Sequence, residues 1–155
     1  DATVQAQILE LVLEQVREHG LAVILVTHDM GVVARTADRV AVMYAGHVVE
    51  RGPAEAVLGR PAHPYTRALL ASTPRLDAPP GASPLPAIRG TPATGLDIPS
   101  GCPFHPRCDV ARDECAASFP EPRDVPQPGA ADEATAVAPD LPKHCVCCHV
   151  ERGTP

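Results

Sequence analysis

Apolar residues recur at Val4, Ile8, Leu11, Val12 and Val16. That spacing of i, i+4, i+7 and i+8 predicts an amphipathic helix over residues 3–19. Gly20 follows at the position of a C-cap glycine. Leu21, Ala22, Val23, Ile24, Leu25, Val26 and Thr27 then run on without polar alternation, the pattern of a strand buried on both faces in a parallel sheet. Helix, glycine and buried strand make half of a βαβ unit, so the expected class is α/β.

A short helix is predicted over residues 30–36. Residues 39–44 and 47–51, separated by Ala45 and Gly46, predict a β-hairpin with glycine in its turn, and Gly52-Pro53 ends it. Short helices over residues 54–58 and 65–72 flank a turn at Pro61-Ala62-His63-Pro64. Beyond Pro74 the patterning stops, because fifteen of the nineteen prolines lie between Pro74 and Pro142. Extended, poorly buried chain is expected over residues 74–100 and again over 121–142. The chain thus divides into an ordered part, 1–73, a Pro-rich linker, 74–100, and a cysteine-rich tail, 101–155.

Composition narrows the picture. Of 155 residues, 45% are apolar but only 3% aromatic, with no Trp, so a modest core of Val, Leu, Ile and Ala is expected. A net charge of −6 without any cluster of Lys or Arg argues against a nucleic-acid partner. The longest apolar run, residues 21–26, is of strand length and far short of the ~20 residues that span a bilayer. With Asp1 first and no charged, apolar leader after it, the chain reads as the tail of a longer protein.

Two groups of residues carry candidate chemistry. His28 stands at the carboxyl end of the predicted buried strand, where ligands bind in open α/β sheets; the alternative is a cap for the next helix. His19 suits the helix dipole, His47 an exposed hairpin position, and Tyr44 and Tyr65 packing. All six cysteines follow residue 100, and without a visible export signal metal is favoured over disulfides. Five residues separate Cys102 from Cys108 and six separate Cys108 from Cys115, whereas zinc fingers pair ligands at two to four. Thiolates gathered from a Pro-braced loop suit an iron–sulfur cluster, whose sulfides keep its ligands apart. Zinc, free thiols and disulfides remain the alternatives.

In order along the chain, these landmarks resemble one family. The run Asp1-Ala2-Thr3-Val4-Gln5-Ala6-Gln7-Ile8-Leu9 is similar to the segment that opens with the D-loop aspartate of ATP-binding cassette (ABC) ATPases of oligopeptide and dipeptide importers. Leu25-Val26-Thr27-His28-Asp29 resembles the switch-histidine strand, and Val42-Met43-Tyr44-Ala45-Gly46-His47-Val48-Val49-Glu50-Arg51-Gly52 resembles the hairpin after it. His63-Pro64-Tyr65-Thr66 is similar to the HPYT element of the peptide-importer branch. Gly101-Cys102-Pro103-Phe104-His105-Pro106-Arg107-Cys108, with Cys115 and residues 144–149, resembles that branch's cysteine-containing extension.

The resemblance implies a C-terminal piece of a P-loop ABC ATPase domain followed by a loop-rich extension. It implies ATP with Mg²⁺ as cofactor, His28 as sensor of the γ-phosphate and Asp1 at the dimer interface. It also implies a [4Fe–4S] cluster, with zinc as the alternative, on Cys102, Cys108, Cys115 and Cys148, the last set by aligning His144, Val146, Cys148 and His149 with the family's terminal pattern. The implied partners are a second ATPase subunit, transmembrane permeases and, indirectly, an extracytoplasmic peptide-binding protein, with the subunit peripheral on the cytoplasmic face of the membrane. His63 becomes a turn residue or a contact to a permease. The chain holds no Lys-containing P-loop, glutamine loop, LSGGQ-like signature or Walker B carboxylates, so hydrolysis is expected only from the full-length protein. The rival readings are a non-enzymatic metal-binding regulatory module on a remnant ATPase fold, or the ATPase of an importer for nickel or another solute.

Overall fold

Helix α1, Ala2–His19, forms where the apolar spacing placed it. Gly20 takes φ +61°, and the Leu21 N–H donates to the Val16 carbonyl at 3.2 Å, the bond that closes a Schellman cap. This helix opens a computed structural model that describes residues 2–74, 86–95, 97–126 and 143–150. The chain forms two compact units, Asp1–Thr36 and Ala37–Pro155.

In the first unit, α1 leads through an extended run to helix α2, Met30–Thr36. The expected buried parallel strand is not realised. Residues 21–26 pair with no strand among the described residues, and Ile24 and Val26 are 95% and 92% exposed. A strand needs a neighbour to take its backbone N–H and C=O groups, and the described residues offer this run none. Helix α1 likewise leaves Ile8 and Leu11 exposed on its apolar stripe. Asp1 lies outside the described residues, as do residues 75–85 of the predicted linker and 127–142 of the second Pro-rich stretch.

The second unit is built on four antiparallel strands in the order β1-β2-β4-β3. These are β1, Arg39–Tyr44, β2, His47–Pro53, β3, Arg123–Asp124, and β4, Cys145–Val146. The β1–β2 hairpin turns on Ala45 and Gly46, both at positive φ (45° and 82°), the requirement of a two-residue type I′ turn. Its register slips between Val42, opposite Glu50, and Met43, opposite Val48. This bulge inserts an extra residue and breaks the alternation of inward and outward side chains. Val49 and Glu50 are therefore buried in succession. β4 reaches β2 closely, since a Cβ on Gly52 would lie 2.9 Å from the His144 Cα.

Helices α3, Ala54–Gly59, α4, Pro64–Ala71, and α5, Asp113–Ala117, complete this unit, with a 3-10 turn at His105–Arg107. Its core is not the purely aliphatic one expected. Tyr44, Tyr65 and Phe104, three of the four aromatic residues, pack with ring centroids 4.7 to 5.3 Å apart. Val42, Val49, Val57, Val146 and Val150 surround them together with Cys102, Cys115 and Cys148. Such aromatic contacts contribute ~0.5–1.5 kcal/mol per pair beyond area burial, which lets a chain poor in large side chains form a core. Part of the predicted linker is held on it. The Arg107 guanidinium donates to the carbonyls of Arg89 and Ile88 at 2.7 and 3.1 Å and to the Tyr44 hydroxyl at 3.2 Å, and the Ala93 N–H also donates to that hydroxyl.

Candidate functional site: a cleft of four cysteines

Four of the six cysteines converge. Cys102, Cys108, Cys115 and Cys148 line one narrow cleft with His63, Phe104, His105 and His149. The first two come from the loop around the 3-10 turn, the third from α5 and the fourth from the segment after β4. The Cys102 N–H donates to the Cys115 carbonyl at 2.8 Å. A Cβ on Gly101, at φ +69°, would collide with that same carbonyl oxygen, so only glycine permits the approach. Arg123 holds the fourth segment through the Cys148 and Val150 carbonyls, at 3.1 and 3.0 Å.

A backbone N–H group lies near each of these sulfurs. The Arg112 N–H donates to Cys115 Sγ at 3.4 Å, and the backbones of Phe104, Val110 and Val150 act to lower the pKa of Cys102, Cys108 and Cys148. Burial nonetheless pushes the Cys102, Cys108 and Cys148 thiols up from their ordinary value, and the other thiols of the cleft push Cys102 further. Three of these residues, Cys102, Cys115 and Cys148, are buried and Cys108 is half-buried.

The remaining two cysteines sit elsewhere. The Cys145 thiol donates to the Asp124 carboxylate at 3.4 Å, and Cys147 anchors the sheet edge through its N–H to the Val49 carbonyl at 2.9 Å. All six are free thiols. Among the described residues no three His, Cys, Asp or Glu side chains are arranged to hold a metal ion.

His63, ambiguous in sequence between turn and permease contact, is 1% exposed, which leaves no surface for a membrane subunit. It caps α4, its Nδ1 accepting the Tyr65 N–H at 3.0 Å. Burial, outweighing the nearby Glu50 carboxylate, lowers its pKa from 6.5 to about 4. The unfolded chain then binds the extra proton between those values, so stability falls as pH drops from about 6.5 toward about 4. The loss reaches ~3 kcal/mol for a shift of this size. Urea midpoints of the metal-free protein are expected to fall across that window, and less steeply after His63→Asn.

One residue that the sequence reading missed ties this region together. Buried Glu50 accepts from the Ala62 N–H at 2.7 Å and the His63 N–H at 2.9 Å, and His144 Nε2 lies 2.6 Å from its Oε1. A charged residue in a hairpin reads as solvent-facing. Only the bulge after Val48, and a partner 94 residues away, make it an anchor.

His28 is exposed at the end of the 21–26 run. The helix cap is its neighbour: Asp29 Oδ1 accepts the N–H groups of Gly31 and Val32 at 2.8 and 3.1 Å, an N-cap geometry. The capping role considered for His28 therefore belongs to Asp29.

The family described as "Oligopeptide/dipeptide transporter, C-terminal region" matches residues 49–115, from the bulge through the HPYT element to the third cleft cysteine. Those residues of this chain are similar to that family. The oligopeptide transport ATP-binding protein OppD of Haemophilus influenzae is 48% identical over 74% of the chain and 35% of its own length. The dipeptide transport ATP-binding protein DppD of Bacillus subtilis is 49% identical, and the OppD of Escherichia coli 48%, each over 77% of the chain and 35% of the relative. The chain spans about a third of the length of these relatives. Among the described residues no helix is long and apolar enough to cross a membrane.

Proposed function

We propose that this chain is the C-terminal part of the nucleotide-binding subunit of an ABC importer for di- or oligopeptides, and that its four-cysteine cleft holds a [4Fe–4S] cluster. In that role it acts as one of two paired ATPase subunits on the cytoplasmic face of the membrane, beneath permeases fed by an external peptide-binding protein. The observation that carries the transport reading is the identity, close to one half, with ATP-binding proteins of oligopeptide and dipeptide transport. Residues 1–73 are then ATPase-derived, residues 74–100 a linker and residues 101–155 the extension. The exposed apolar positions of residues 21–26 and α1 are faces that the rest of the ATPase domain covers.

Phosphoryl transfer needs groups that position the terminal phosphate and stabilise its charge. An exposed imidazole after an apolar run, with its neighbour Asp29 already occupied in capping α2, is free to donate a hydrogen bond to a γ-phosphate oxygen. His28 has this role in our reading, and Asp1 lies at the interface between paired subunits. Loss of one such donor costs ~10²–10³ in rate. His28→Ala in the full-length protein is expected to bind ATP but lose at least about 10²-fold in hydrolysis, and with it peptide uptake. Unchanged ATP-driven uptake would contradict the assignment.

The donor set of the cleft favours a cluster over a single zinc ion. Zinc draws its thiolates to ~2.3 Å each, whereas the bridging sulfides of a cluster keep its ligands further apart. An N–H donor such as that of Arg112 on Cys115 Sγ is the kind of contact that stabilises cluster thiolates and tunes their potential. The free space between the walls is about 10 Å³, so loading spreads the cleft and displaces thiol protons. Uptake is accordingly favoured as pH rises. A bound cluster supplies a covalent cross-link between the extension's segments and a one-electron redox centre.

A further inference from the structure

The cleft contains a buried donor with nothing to bond. Three histidines line it. His105 Nδ1 lies 3.0 Å from the Cys102 carbonyl oxygen and His149 Nε2 lies 3.0 Å from that of Ser118. His63 differs: its Nδ1 accepts the Tyr65 N–H at 3.0 Å, which places the ring proton on Nε2, and Nε2 is buried without a hydrogen-bond partner among the described residues. A buried donor left unsatisfied is costly and calls for an explanation. The same tautomer removes His63 from any ligand set, because a nitrogen carrying a proton has no lone pair to give a metal. What it can do is donate, and four cysteine sulfurs line the same cleft.

We propose that His63 Nε2–H donates a hydrogen bond to a sulfur of the cluster held by Cys102, Cys108, Cys115 and Cys148, and so sets how readily that cluster accepts an electron. The inference rests on the cluster reading above. One-electron reduction adds a negative charge to the cluster and its thiolates. An N–H aimed at sulfur stabilises the more negative state, so it raises the potential. His63 is therefore a positioning and tuning residue rather than a ligand. Through its main chain and its cap it also connects the cleft to Glu50 and to α4, the elements that residues 49–115 share with the peptide-transporter family.

Two substitutions separate the two nitrogens. Asn at position 63 keeps an acceptor where Nδ1 was, and so keeps the cap, but removes the donor at Nε2. Gln reaches the Nε2 position with an N–H and loses the cap. The test uses the full-length subunit purified without oxygen, with iron and acid-labile sulfide measured first, followed by a dithionite titration monitored by electron paramagnetic resonance.

Wild type, His63→Asn and His63→Gln are expected to retain iron. His63→Asn should be about tenfold less reduced at a fixed potential, equivalent to a midpoint ~59 mV lower for one electron. His63→Gln should return toward wild type despite its weaker helix cap. Iron lost from His63→Asn but kept by His63→Gln would also support the donor role. An unshifted midpoint in His63→Asn, an equal shift in both variants, or equal iron loss from both would overturn it while leaving the cluster in place in wild type. Wild type without iron and sulfide would instead remove the cluster reading, and this inference with it.

Discussion

Glu50→Ala is expected to destabilise the 37–155 unit by about 3–5 kcal/mol, the scale for removing one partner of a buried, hydrogen-bonded pair. Three groups lose an acceptor at once: the Ala62 and His63 N–H groups and His144 Nε2. All are buried, so water cannot replace it, and each unsatisfied donor costs ~1–3 kcal/mol. Against a typical domain stability of ~5–15 kcal/mol, the loss is enough to loosen β4 from β2 and release the Cys148 segment. Glu50→Gln should cost less, since its oxygen still accepts while its amide opposes a donor. Urea unfolding of the metal-free protein measures both. Midpoints within error of wild type would show that the carboxylate is not the anchor described here.

Cys102→Ser is expected to reduce iron and labile sulfide from about four each per chain, the content of one [4Fe–4S] cluster, to near zero. Cys108→Ser, Cys115→Ser and Cys148→Ser should do the same. Cys147→Ser and Cys145→Ser should leave the content unchanged. The contrast follows from placement: these four cysteines line one cleft. Cys145 instead donates to Asp124. Retention after Cys148→Ser with loss after Cys147→Ser would transfer the fourth ligand to the neighbouring residue and contradict the geometry.

The local elements were legible in the sequence because local physics makes them. Spacing of Val4, Ile8, Leu11, Val12 and Val16 gave α1, Gly20 its cap, and Ala45-Gly46 the hairpin turn. The convergence of Cys102, Cys108 and Cys115 with Cys148 came from resemblance to a family pattern, since a gap of thirty-two residues carries no geometric information by itself. What the sequence did not show was non-local. Glu50 is inward because of a bulge, which no pattern of apolar residues marks. The pairing of Cys145 and Val146 with Arg51 and Glu50 joins the hairpin of the predicted ATPase part to the tail in one sheet. The Arg107 clamp on residues 88 and 89 holds a stretch whose proline content read as loose linker. Residues 21–26 failed in the opposite direction. Their composition demands burial, yet the described residues offer them no neighbouring strand.

The central claim is that the cleft is an iron–sulfur site on a peptide-importer ATPase. Iron, zinc and acid-labile sulfide measured on the full-length protein purified without oxygen test it most directly. The account predicts about four irons and four sulfides per chain and no stoichiometric zinc. One zinc per chain, or neither metal with six titratable thiols, would contradict it.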